Sequence, residues 1–144
     1  MSTAVGQTRI WFNGLRLASA GVVAFGLVLV CCPGFTRRAF SLLVYASPDR
    51  LDGFGAEPAR YIALVHAVLG GVMVGWGCLL YMVTTRALPR VESSAWSWLT
   101  LSLLAWFVPD TAYSLLSGYW QNAVLNVSFL ALFAVPLWRL RPRR

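Results

Sequence analysis

Four long apolar blocks separated by short polar stretches make up most of this chain. They run from about Phe12 to Cys32, Tyr61 to Val83, Trp96 to Gly118 and Gln121 to Trp138. A helix rises about 1.5 Å per residue and the hydrocarbon core of a bilayer is about 30 Å thick, so each block predicts a membrane-crossing helix. In hydrocarbon a single segment satisfies its own backbone hydrogen bonds only as a helix. The expected fold is therefore all-α, a four-transmembrane-helix bundle that forms one membrane domain over residues 1–144.

The polar stretches divide the blocks unevenly. Residues 1–8 are short, polar and read as a frayed start. Arg9 and Arg16 ahead of an apolar run also fit the start of a signal peptide. The run is long for one, and no Ala-x-Ala site precedes the next segment, so a retained span is expected. Pro33-Gly34 is expected to end it. Residues 35–60 form a long connection. Its first part, Phe35 to Ala46, interleaves Phe35, Phe40, Leu43 and Val44 with Arg37 and Arg38, and predicts a short helix lying in the interface. Its second part, Ser47 to Pro58, holds three acids, two Gly and two Pro and predicts a solvated loop. The other connections are short: Arg86, Pro89 and Arg90 close the second block, and Glu92 and Ser93 lead to the third.

Two features inside the blocks bear on packing. In the first, Gly14, Ala18 and Gly21, with Ala20 and Ala24, are small residues at helical spacing. In the second, Ala63, Ala67, Gly71 and Gly75 are spaced by four, so they form a groove on one face suited to close helix packing, within the chain or between chains. Trp96 and Trp98 at one end of the third block, and Tyr119 and Trp120 past its other end, match an interfacial aromatic belt. Pro109 removes one helix hydrogen bond and is expected to free a carbonyl near Ala105.

Composition sharpens this picture. Mean hydropathy is +0.66 over 144 residues. Charged residues make up 12% of the chain, against about 25% in soluble domains. The net charge of +7 comes from twelve Arg and no Lys. These arginines sit at block ends rather than on one stripe, and no nucleic-acid recognition motif accompanies them. They read as topology signals and contacts to anionic lipid headgroups, with no nucleic-acid partner. One side would carry Arg9, Arg16, Arg86, Arg90 and the four C-terminal arginines. The other would carry Arg37, Arg38, Arg50 and Arg60 beside three of the five acids. The positive-inside rule then predicts cytoplasmic N and C termini and an outward-facing 33–60 connection. Cys31, Cys32 and Cys78 lie in or at the ends of apolar blocks without metal-ligand spacing and read as small hydrophobes.

Polar residues within the blocks are the candidate chemistry. Asp110 lies inside the third block, and Ser114 and Ser117 follow it near the same face. Asn122 and Asn126 sit at i and i+4 early in the fourth. In the four-span layout His66 enters about 7–8 Å from the outer end of its helix and Asp110 about 12 Å. The candidate cluster is thus His66, Asp110, Tyr113, Ser114, Ser117, Asn122 and Asn126, all in the outer half. A charged carboxylate at that depth costs from about 2.5 kcal/mol upward, so it should face the bundle interior, a wet cavity or a partner. Either Asp110 is protonated, or His66 or Arg60 keeps it ionised. The cluster either holds a ligand or links helices by hydrogen bonds. His66 is a candidate axial ligand for a haem or pigment, although a single His excludes bis-His ligation within one chain. No P-loop, zinc-binding helix, nucleophile elbow or paired carboxylates suggest an enzyme.

The run from His66 to Gly77 and the stretch from Trp106 to Asn126 resemble a widespread group of small bacterial four-helix integral membrane proteins of unassigned activity, distantly DoxX-like in layout. The resemblance covers roughly residues 12–138. It implies a four-helix fold in a bacterial inner membrane, and its DoxX-like side implies quinone-linked redox partners. The small-residue face, the aromatic belts and the lack of a soluble domain lead to a non-catalytic accessory subunit that packs against a larger membrane complex or itself. The alternative is a lipid, quinone, haem or pigment site in the outer half of the bundle. Proton-coupled transport through Asp110 is a third reading, which four short spans accommodate poorly without oligomerisation.

Overall fold

The computed structural model of the chain describes residues 2–88 and 93–142. Among them are five α-helices and no strand: α1 (Ser2–Cys31), α2 (Pro33–Tyr45), α3 (Ala56–Met82), α4 (Ser93–Leu116) and α5 (Trp120–Arg139). Four stretches are long and apolar enough to cross a bilayer: Thr8–Cys31, Ala56–Ala87, Ser94–Leu116 and Trp120–Arg139. Large apolar side chains such as Leu64, Val68, Val72, Leu101, Leu115 and Leu132 lie exposed along them. A soluble chain could not leave so much apolar helix surface in water; a bilayer solvates it. This is a multi-pass membrane protein. Expected arginine positions Arg90, Arg143 and Arg144, with Pro89 and Glu92, fall outside the described residues.

The chain divides into two compact units. One comprises residues 21–77, the later part of α1 through most of α3. Pro33 does more there than end a helix. Cys32, the residue before it, leaves helical geometry at φ −125°, as the proline ring requires. Pro33 itself then opens α2, at a position where a missing N–H is no loss. Thr36 fastens the corner by donating its hydroxyl to the Val28 carbonyl at 3.3 Å. Helix α2 stops at Ala46, which adopts left-handed geometry (φ 53°) and returns its N–H to the Leu42 carbonyl at 2.9 Å.

The expected solvated loop after α2 is instead structured. Arg50–Phe54 forms a 3-10 turn. Buried Ser41 donates to the Ser47 carbonyl at 2.6 Å and accepts from the Leu51 N–H at 3.3 Å. Arg37 pairs with Asp52 at 2.9 Å. Leu51 supplies the apolar reason for docking, since it is buried. Helix α3 already begins at Ala56, so Glu57 and Pro58 belong to its first turn, where proline is tolerated. Sequence hydropathy misses this because a short turn carried by one Ser and one Leu has no period to detect.

Within the same unit α1 and α3 cross at glycine. A Cβ on Gly26 would lie 2.6 Å from the Gly70 carbonyl oxygen, and one on Gly70 would lie 2.5 Å from the Gly26 oxygen. A Cβ on Gly77 would meet Val23 N at 2.9 Å. Backbones this close tolerate no side chain between them.

The other unit comprises residues 1–20 and 78–144, the start of α1, the end of α3 and all of α4 and α5. Past Met82 the chain widens into a π-helical turn over Val83–Ala87. Thr85 sits on it, donating its hydroxyl to the Tyr81 and Met82 carbonyls at 2.8 and 3.1 Å. Helices α4 and α5 form an antiparallel hairpin whose turn contains Gly118 at φ +81°, a conformation glycine adopts without strain. Leu99, Leu103, Phe133 and Leu137 are buried. The Trp96 indole donates to the Leu137 carbonyl at 2.8 Å and so satisfies an orphan acceptor in the last turn of α5. Helix α4 runs through Pro109 without interruption, and α5 likewise contains Pro136.

Candidate functional site

The hairpin sets the geometry of the polar cluster. Ser114 and Asn122 each stand four residues from Gly118, and Asp110 and Asn126 each stand eight. Antiparallel helices joined by a tight turn therefore bring these residues to matching heights. Trp106 and Phe129 continue the register with ring centroids 6.3 Å apart.

Asn122 spans the two helices. Its Nδ2 donates to Asp110 Oδ1 at 3.0 Å and to Ser114 Oγ at 2.8 Å, so both amide hydrogens have acceptors. Ser114 uses its own hydrogen on the Asp110 carbonyl at 2.7 Å, one turn back on α4. Its Oγ also lies 3.4 Å from Asp110 Oδ1, a longer and weaker contact. One turn deeper, Asn126 Nδ2 donates to Thr111 Oγ1 at 3.3 Å. Ser114 and Asn126 are each 3% exposed, while Asp110, Thr111 and Asn122 are half-buried. Near the hairpin turn, the Tyr119 N–H caps the Ser114 carbonyl at 2.8 Å.

Asp110, Ser114, Asn122 and Asn126 thus come together as the spacing predicts. Thr111 is the member that sequence reasoning misses. Its signal is present, because Thr111 lies three residues before Ser114 and so shares its side of α4. Tyr113 and Ser117 stand apart from the cluster. Tyr113 is 72% exposed and Ser117 is exposed next to the turn. Ser117 lies just past the end of α4, in the turn.

His66 belongs to the other unit. Its ring packs on Phe40 of α2 with centroids 4.8 Å apart and planes tilted by 34°. Its Nδ1 is buried and has no hydrogen-bond partner among the described residues. Arg60, the other partner considered for Asp110, instead pairs with Glu57 at 3.0 Å on an exposed first turn. Among the described residues no group of three His, Cys, Asp or Glu side chains is placed to hold a metal ion.

The expected small-residue face is not the one used for close contact within the chain. Ala67 is half-buried, but Gly71 and Gly75 are exposed, and a Cβ on either would meet nothing within 4 Å. The close approach inside the chain uses Gly70 and Gly77, on another side of α3. No family model matches this chain, and neither does a curated protein or a solved structure.

Proposed function

We propose that the chain is a non-catalytic accessory subunit that packs in the membrane against a larger protein partner or against further copies of itself. The observation that carries this reading is the α4–α5 cluster, whose donors are met by acceptors on the same two helices. Asn122 gives both amide hydrogens to Asp110 and Ser114, and Ser114 gives its own to the backbone. Buried polar groups satisfied in this way hold helices together, at about 0.6–2 kcal/mol per link. The exposed surface of α3 supports association. Gly71 and Gly75 lie open among exposed Leu64, Val68 and Val72, so a neighbouring helix can approach its backbone.

In this reading both termini face the cytoplasm of a bacterial inner membrane, an orientation supported by the arginine distribution and by the resemblance to small bacterial four-helix proteins. Mild-detergent purification from the native host, followed by native mass spectrometry and an absorbance spectrum, tests it. An assembly holding this chain at fixed stoichiometry, retained with Asp110→Asn, is the expected result. A lone chain that carries a small mass or visible absorbance, lost with His66→Ala, would overturn it in favour of a ligand-binding protein.

A further inference from the structure

The unit made of residues 1–20 and 78–144 has a second feature, at the end of the hairpin away from Gly118. Three helices meet there. Gly14 of α1 lies against Pro136 of α5, where a Cβ would stand 3.7 Å from the proline ring. Trp96 of α4 bonds the Leu137 carbonyl. Between them the Arg139 guanidinium carbon sits 5.5 Å from the Trp11 ring centroid and 5.3 Å from that of Trp138.

Among the described residues this unit is rich in positive charge and poor in negative charge. Arg9, Arg16, Arg86, Arg139 and Arg141 all belong to this unit. Among the described residues the ion pairs are Arg37–Asp52 and Arg60–Glu57, both in the other unit. The one described carboxylate here is Asp110, about 20 Å along α4 from Trp96 at 1.5 Å per residue. Among the described residues Arg139 is therefore an exposed cation without a carboxylate partner, at the terminus of a membrane-spanning helix. A cation–π contact of this kind engages the charge of the guanidinium and leaves its N–H groups available as donors. Trp138 is 66% exposed beside it, as an interfacial tryptophan should be.

We propose that this corner binds the headgroup phosphate of an anionic phospholipid. Arg139 is the primary contact, and Trp11 and Trp138 seat the boundary between headgroup and acyl chain. The planar N–H edge suits a bidentate phosphate contact. A membrane surface supplies such phosphates at the depth where the span ends. Arg141, two residues on, adds charge without being held by the indoles. The site does not depend on the accessory-subunit reading, because it needs only the bilayer.

The test is native mass spectrometry of the full chain in mild detergent, offered equal amounts of phosphatidylglycerol and phosphatidylcholine with matched acyl chains. The wild type is expected to retain phosphatidylglycerol in excess. Arg139→Ala should cut that excess about fivefold, as expected for one basic residue near an anionic surface. Arg139→Lys keeps the charge but loses the flat edge, and should fall between the two; it also serves if the alanine variant does not fold. Arg38→Ala, which alters an exposed arginine of the other unit, should leave the excess unchanged. An equal excess in wild type and both Arg139 variants would overturn the proposal, as would an equal loss with Arg38→Ala. Displacement of the lipid by excess inorganic phosphate would also overturn it, because the site would then take the free anion rather than the lipid.

Discussion

The α1–α3 crossing and the α4–α5 hairpin hold membrane helices together by opposite means. At the crossing the close contact is between backbones. Gly26, Gly70 and Gly77 bring the backbones so close that a single methyl group has no room. At the hairpin the helices are linked by side chains that reach across, Asn122 to Asp110 and Ser114, and Asn126 to Thr111. Lipid removes most of the hydrophobic drive for helix association, so packing and hydrogen bonding are what remain. The crossing depends on the absence of atoms and the hairpin on particular atoms. Substitutions should therefore act differently on the two.

The largest effect should come from Gly70→Leu. Its Cβ alone would lie 2.5 Å from the Gly26 oxygen and 2.8 Å from Leu29 Cβ, so the helices must separate. We expect a loss of about 3 kcal/mol or more, at the upper end of overpacking effects. Loss of helical circular dichroism during titration of the detergent-solubilised protein with SDS measures this. An unshifted midpoint would mean that the crossing does not hold the fold. Asn122→Ala should have an intermediate effect of about 1–2 kcal/mol, because it removes two donors from inside a span. Asp110→Asn retains an acceptor for Asn122 and should cost well under about 1 kcal/mol in the same titration. If Asp110→Asn proved as damaging as Asn122→Ala, the charge of Asp110 rather than its acceptor would be what the hairpin needs.

Gly71, one residue on from the crossing, should be the most tolerant position. Gly71→Ala is next to Gly70 but meets nothing within 4 Å. The monomer should keep its stability within about 0.5 kcal/mol, as for a surface substitution. If Gly71 lies in an interface between chains, the same variant should lower the oligomeric or co-purified fraction in native mass spectrometry while the SDS midpoint stays fixed. A shifted midpoint would instead put Gly71 inside the fold.

The candidate site is partly legible in the sequence. Asp110, Ser114, Asn122 and Asn126 lie within seventeen residues across one tight turn, so chain connectivity alone places them together. Thr111 escapes notice because it adjoins the more conspicuous Asp110. Tyr113 stays out of the cluster because its helical angle turns it to the exposed side, and Ser117 because it lies past the end of α4 in the turn. Grouping His66 with the cluster rests on its depth along the membrane, a one-dimensional measure that does not specify which neighbour a residue meets; its described ring neighbour is Phe40. The folded segment between α2 and α3 depends on Ser41 reaching six and ten residues ahead, for which sequence gives no periodic signal.

What a bilayer demands of a chain can be read from these residues alone. Four runs of about 20 apolar residues become helices because hydrocarbon offers a peptide group no other partner. The hairpin register is legible there too, because a turn at Gly118 leaves little freedom to the residues on either side. Which glycines lie at the helix crossing depends on the folded packing. Ala67, Gly71 and Gly75 satisfy the four-residue spacing, yet Gly70 and Gly77 meet α1. Spacing shows which residues share a face, but the rotation of one helix against another is set by the fit of all the side chains around the crossing.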